Sequence, residues 1–282
     1  MTQFKTLISA TELSQVIADP EIRVVDCRFN LMQPDSGRAD YLSGHIPAAV
    51  YAHLDEDLAG PVRADTGRHP LPDVDQFART LAGWGISNAS QVVAYDESGG
   101  AIAARLWWML RWLGHENVAV LNGGFGAWRK IDGEIETGLA EAVPAQFSVR
   151  PDPSMVLTTG ELAAHRDSIQ LVDARDRQRF LGRIEPIDPV AGHVPGALNL
   201  PFSECLDPGG LLKSPAELLS LWQNVLNKPS ESRWAVMCGS GVTACHLALS
   251  AAEAGILAPR LYVGSWSEWI RDPARPIATE PA

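Results

Sequence analysis

The sequence predicts an α/β protein made of two tandem copies of one domain, each a mainly parallel sheet flanked by helices. Three observations lead there. Short β-branched runs alternate with longer amphipathic segments such as 101–113 and 216–225, the alternation expected of strands and helices around a parallel sheet. The order of motifs is written twice, at a spacing of about 140 to 150 residues, which is domain-sized and far too long for a solenoid unit. A chain of 282 residues is also long enough for two domains that each bury a core.

Taken in order, Val24-Val-Asp26-Cys-Arg28 reads as a strand ending in a charged pair, and Tyr41-Leu-Ser-Gly-His45-Ile-Pro-Ala-Ala-Val50 follows it. Leu171-Val-Asp173-Ala-Arg175 and Ala191-Gly-His193-Val-Pro-Gly-Ala-Leu-Asn-Leu200 repeat that order and spacing. Further on, Val92-Val-Ala-Tyr-Asp96 corresponds to Ala235-Val-Met-Cys238, and Leu121-Asn-Gly-Gly-Phe-Gly-Ala-Trp128 to Tyr262-Val-Gly-Ser-Trp-Ser-Glu-Trp269. Between the copies, 137–159 carries Gly138, Pro144, Pro151 and Pro153 with little helical period and reads as a connection running partly over the surface. The expected domains are 1–138 and 156–282, joined by 139–155. Asp26 with Arg28, Asp173 with Arg175, and the histidines His45 and His193 occur in both copies, so they are expected to anchor strand ends and loops. Trp107, Trp108, Trp266 and Trp269 are expected as core and interface mass.

The formal net charge of −11 argues against nucleic acid or an anionic membrane surface as a partner. A small anionic substrate would then need a local positive site. The first residues lack the basic and long apolar stretches of a signal peptide, and no apolar run is long enough to span a bilayer, so the expected location is cytoplasmic with no membrane partner. Cys27, Cys205, Cys238 and Cys245 show neither a Cys-x-x-Cys pair nor metal-ligand spacing. They are expected as reduced thiols, and no metal or organic cofactor is implied. Cys245, seven residues beyond Cys238, is expected in the core.

The most informative stretch is Trp234-Ala-Val-Met-Cys238-Gly-Ser-Gly-Val-Thr-Ala-Cys245. An apolar strand ends in a cysteine, and Gly239, Ser240 and Gly241 let successive backbone N–H groups turn toward one point above its sulfur. The helical composition of 244–254 adds a positive helix end to the same point. Both effects favour thiolate, the reactive form. The end of a strand before a small-residue loop is also where open α/β sheets place ligands. In the first copy the equivalent residue is Asp96, so only the second copy can use a thiol. Phosphate-ester chemistry of the Cys-x5-Arg type needs an arginine where Ala244 stands.

The repeated Asp-x-Arg, Gly-His-[Ile/Val]-Pro-x-Ala and Gly-x-x-x-x-Trp elements, together with the Cys238 loop, resemble tandem-domain rhodanese-family sulfurtransferases over nearly the whole chain. The resemblance implies two rhodanese-like domains, the first inactive and the second carrying a persulfide on its loop cysteine. Thiosulfate-using members carry arginine and lysine after that cysteine, whereas Cys238-Gly-Ser-Gly-Val-Thr-Ala244 is similar to members that use 3-mercaptopyruvate. The implied reaction moves a sulfane sulfur from this small anionic donor to a thiol, a thioredoxin-like protein or cyanide. Thiosulfate as main donor, and a non-enzymatic persulfide carrier, stand as alternatives.

By the same resemblance Cys238 is the nucleophile, and Gly239, Gly241, Val242 and Thr243 form the cradle around donor and persulfide. Ser240 handles the donor's thiol proton, joined by His69 and Asp55 from the first half. Arg179 holds the donor carboxylate in a bidentate fork. A second donor arginine found in several such enzymes has no clean counterpart in the shortened segment 183–192, where Arg183 is the substitute, and Arg68 adds positive potential nearby.

Overall fold

A five-stranded, wholly parallel sheet lies at the centre of each half of the chain. The structure, a computed structural model, describes residues 3–226 and 233–279. Two compact units result: Met1–Gly60, Pro72–Asp152 and Pro208–Leu212 form one, and Pro61–Leu71, Pro153–Asp207 and Lys213–Ala282 form the other.

In the first unit the order along the chain is β1 (Leu7–Ile8), α1 (Ala10–Val16), β2 (Ile22–Asp26), α2 (Ser36–Ser43), β3 (Val50–Tyr51), α3 (Val74–Gly83), β4 (Gln91–Tyr95), α4 (Ala103–Trp112), β5 (Val118–Leu121) and α5 (Gly124–Lys130). The sheet order is β1-β5-β4-β2-β3. Every residue of β4 and β5 is buried, as expected of parallel strands covered on both faces. Ser9 and Glu12 start α1 with a reciprocal capping box. Helix α4, expected from the sequence to be amphipathic, is buried almost all round, Arg105 included, so its apolar side chains serve the core on every face. The core gathers Leu13, Val24, Ile46, Val93, Phe125 and Trp128. After α5 the chain follows this unit as an extended strap. Ala140 N–H donates to Tyr41 Oη, Ala145 N–H to the Ala82 carbonyl, and Arg150 N–H to the Leu113 carbonyl.

The second unit repeats the plan with β6 (Val156–Leu157), α6 (Thr159–His165), β7 (Gln170–Asp173), α7 (Arg177–Phe180), β8 (Leu198–Asn199), α8 (Pro215–Val225), β9 (Trp234–Met237), α9 (Thr243–Glu253), β10 (Arg260–Tyr262) and α10 (Ser265–Trp269). Its sheet order, β6-β10-β9-β7-β8, is that of the first unit. Leu162, Val194, Trp266 and Trp269 fill the places of Leu13, Ile46, Phe125 and Trp128. Both sheets place β4 or β9 in the middle, so the loop after each leaves from the centre of its unit. The residues shared by the two copies anchor both. Arg28 grips Asp26 and the Gly44 carbonyl, and Arg175 grips Asp173 and the Gly192 carbonyl. His45 donates through Nδ1 to the Tyr41 carbonyl while stacking on that ring, and His193 does the same with Phe180. His193 thereby fixes the C-terminal end of α7.

Candidate active site

Strand β9 delivers Cys238, 2% exposed, directly after its last residue. The Sγ atom accepts the N–H of Gly241 at 3.1 Å. The turn that makes this possible demands glycine at 241: its φ is +80°, and a Cβ there would lie 2.4 Å from the Val263 carbonyl oxygen. Three further bonds tie the loop to the first residues of α10, and a fourth braces Ser265 on the end of β10. Cys238 N–H donates to Ser265 Oγ at 3.0 Å, and that hydroxyl donates to the Tyr262 carbonyl at 2.9 Å. The carbonyls of Cys238 and Gly239 accept the N–H groups of Trp266 and Ser267 at 3.0 and 2.8 Å. Ser265 reaches this position only with φ at +52°, an unfavourable value for a residue with a Cβ.

Helix α9 opens at Thr243, with Val242 at the N-cap and no side chain closing its first N–H groups. A positive helix end is therefore presented beside the sulfur. Cys245 is buried one turn inside, its thiol donating to the Gly241 carbonyl at 3.3 Å. Trp266 is fully buried with its indole N–H on the Val190 carbonyl, and the Arg175 guanidinium lies over its ring at 4.8 Å. Among the other cysteines, burial pushes the Cys205 thiol up to about 11 and raises Cys27 well above its ordinary value. Those two are packed as small apolar side chains.

Ser240, the middle of the loop, has its Oγ 2.7 Å from His69 Nδ1, and both residues are buried. His69 belongs to Pro61–Leu71, which packs in the second unit. The reason is local. Gly67 lies so close to the start of α10 that a Cβ would meet the Gly264 carbonyl oxygen at 2.5 Å and Ser267 Oγ at 2.9 Å. Arg68 N–H donates to Ser267 Oγ at 3.0 Å, Gly67 N–H to Glu268 Oε2 at 3.3 Å, and Arg271 Nε to the Thr66 carbonyl at 3.3 Å.

Arg179 projects from α7, whose N-cap Asp176 accepts the N–H of Gln178. Its guanidinium is engaged by two carboxylates of the shortened segment: Glu185 accepts from Nε and Nη2, and Asp188 accepts from Nη2 at 3.1 Å. Asp188 also takes an ion pair from Arg68. Burial raises the Asp188 carboxyl above its ordinary value despite these arginines. Burial would raise Glu185 as well, but hydrogen bonds from Arg179 and from the backbone of Asp188 and Ile187 bring it below the usual carboxylate range.

The loop residues Cys238, Gly239, Ser240, Gly241, Val242 and Thr243 thus stand together with His69 and Arg179. Arg183 is exposed, and its guanidinium has no ion pair or hydrogen bond among the described residues. Asp55 is an exposed residue of the first unit whose N–H faces His53 Nδ1 at 3.2 Å. Glu185, Asp188 and Ser265 are site residues that sequence reasoning missed. The two acids show only as charges in a loop without periodicity, and Ser265 only as the counterpart of Gly124, which has φ +56° in the first unit. Among the described residues no group of three or more His, Cys, Asp or Glu could hold a metal, and no helix is long and apolar enough to cross a membrane.

Comparison with known proteins agrees with the duplicated plan. A family model for the rhodanese-like domain matches residues 9–131 and again 158–272. A probable 3-mercaptopyruvate sulfurtransferase of Pseudomonas aeruginosa is 43% identical over 97% of this chain and 98% of its own. A putative thiosulfate sulfurtransferase of Mycobacterium tuberculosis is 39% identical over 97% of this chain and 96% of its own. The structure of 3-mercaptopyruvate sulfurtransferase from Leishmania major superposes with a TM-score of 0.84 at 32% identity, over 94% of this chain and 74% of that one.

Proposed function

The chain belongs to the rhodanese-like sulfurtransferase family, as two such domains in tandem, and we propose that it moves sulfur from 3-mercaptopyruvate to an acceptor thiol through a persulfide on Cys238. The observation that carries this choice of donor is the 2.7 Å contact between Ser240 and His69 beside the sulfur. Mercaptopyruvate brings a thiol proton that must leave sulfur and a carbon that must gain one. Thiosulfate brings no proton, and its sulfite leaves without needing any. A buried serine–histidine pair on the loop serves the first donor and is idle for the second.

In the first half-reaction the Cys238 thiolate attacks the donor sulfur and the carbon–sulfur bond breaks, its electron pair leaving with pyruvate as the enolate. The thiol proton passes through Ser240 to His69 and ends on the enolate carbon. The products are pyruvate and Cys238 with one extra, anionic sulfur. That sulfur sits against the Gly241 N–H and the open end of α9, donors already in place before charge arrives there. In the second half-reaction an acceptor thiol, such as that of a reduced thioredoxin-like protein, or cyanide attacks the outer sulfur and restores the thiolate. Arg179 holds the donor carboxylate. Four free cysteines and the absence of a membrane-spanning helix among the described residues support work in the reducing cytoplasm.

Thiosulfate is the second reading, favoured by the Mycobacterium tuberculosis relative and by a guanidinium-rich rim suited to a dianion. Initial rates with both donors decide between them. Pyruvate release from mercaptopyruvate at a kcat/KM at least about tenfold above that for sulfite release from thiosulfate fits the proposal, the size of one charge-assisted contact. The reverse order contradicts it, and turnover of neither donor leaves a carrier loaded by another protein.

A further inference from the structure

We infer that Arg68 is the second donor-binding arginine of this protein, acting with Arg179 across the bridging carboxylate of Asp188. The inference rests on the reading that Cys238 takes sulfur from a donor bearing a carboxylate.

The geometry converges on Gly239, the residue after the nucleophile. A Cβ placed there would lie 2.9 Å from Arg68 Nη2 and 3.6 and 3.8 Å from Arg179 Nη2 and Nη1. Two guanidinium groups from separate segments therefore face the same small space beside Cys238, and only the missing side chain leaves that space open. Asp188 spaces them by accepting from Arg68 Nη1 with Oδ1 and from Arg179 Nη2 with Oδ2. These bonds leave Arg68 Nη2 and Arg179 Nη1 to donate to an incoming carboxylate, one from each arginine.

Charge points the same way. The ion-paired cluster holds Arg68, Arg175 and Arg179 against Asp173, Glu185 and Asp188, three charges of each sign. Without Arg68 the carboxylates outnumber the arginines by one at the place where an anion must dock. Arg179 alone is committed to Glu185 through Nε and Nη2 and cannot offset both acids. The shortened segment 183–192 brings acids where a further cation is needed, and Arg68 supplies that cation from Pro61–Leu71, held by its own N–H on Ser267.

The test is steady-state kinetics with 3-mercaptopyruvate on the full-length protein, for Arg68→Ala, Arg68→Lys and Gly239→Ala, with intact-protein mass spectrometry for added sulfur. Arg68→Ala is expected to raise KM by about tenfold to a hundredfold, the worth of one or two charge-assisted hydrogen bonds, with a much smaller change in kcat. Lysine restores part of the loss, because it returns the charge without the planar fork. Gly239→Ala raises KM too, since its methyl meets only the far end of the flexible Arg68 side chain and displaces the guanidinium while the fold stays intact. An unchanged KM in Arg68→Ala, or a fall in kcat alone, overturns the role of Arg68 while the wild type still gains sulfur from mercaptopyruvate. A wild type that gains none overturns the donor reading, and the arginine pair falls with it.

Discussion

Asp96 and Cys238 stand at the same place, directly after the central strand of their respective sheets, and each accepts backbone N–H groups of its own loop. The Asp96 carboxylate takes four, from Ser98, Gly100, Ile102 and Ala103 at 2.8 to 2.9 Å. The Cys238 sulfur takes one, from Gly241. The first unit fills its anion cradle with a built-in carboxylate, and the second offers room for an anion that comes and goes.

Asp96→Ala is therefore expected to leave buried N–H groups unsatisfied and to destabilise the first unit by about 3 kcal/mol. Urea unfolding followed by circular dichroism reads the effect. An unchanged midpoint would show that water or a neighbouring group replaces the carboxylate at no cost.

Ser240→Ala and His69→Gln are expected to slow pyruvate formation from mercaptopyruvate by about a hundredfold or more, the usual contribution of a positioned proton-transfer group. Sulfite release from thiosulfate should change far less. Equal losses with both donors in the two variants would mean that these residues shape the loop and move no proton.

Gly67→Ala is expected to cut turnover by on the order of a hundredfold, because the added Cβ would sit 2.5 Å from the Gly264 carbonyl and must push His69 and Arg68 away from the loop. Circular dichroism should show the protein folded. Full activity in that variant would mean that the site does not depend on the seating of Pro61–Leu71.

Acid should weaken the second unit through His193. Burial holds this imidazole below its ordinary value of about 6.5, so the unfolded chain takes up a proton that the folded chain refuses. The stability it supports is present above about pH 6.5 and is lost as pH falls below that value. His193→Gln should flatten the dependence of unfolding free energy between about pH 7 and about pH 5.5, by up to about 1.4 kcal/mol per pH unit. An identical slope in the variant would assign the acid sensitivity to other groups.

Much of this architecture is legible in the amino-acid sequence because it rests on local, repeated signals. Two strand ends with Asp-x-Arg, two Gly-His-x-Pro turns and one cysteine followed by small residues suffice to place the sheets and the loop. What escapes reading is tertiary. Nothing periodic in 61–71 reveals that Gly67 and Arg68 seat on Ser267 and Glu268, two hundred residues away in the chain. Nor does the spacing of Glu185 and Asp188 reveal that both turn back onto Arg179, since loop carboxylates normally face water. The identity of the second cation depends on these two folded-back segments, so Arg183 looks as eligible as Arg68 until the loop is seen closed.

The central claim is that Cys238 carries the transferred sulfur. Intact-protein mass spectrometry after brief exposure to 3-mercaptopyruvate and removal of excess donor tests it most directly. The wild type should gain the mass of a single sulfur, which cyanide or dithiothreitol removes, and Cys238→Ser should gain nothing. A stable added sulfur on the Cys238→Ser protein would contradict the account.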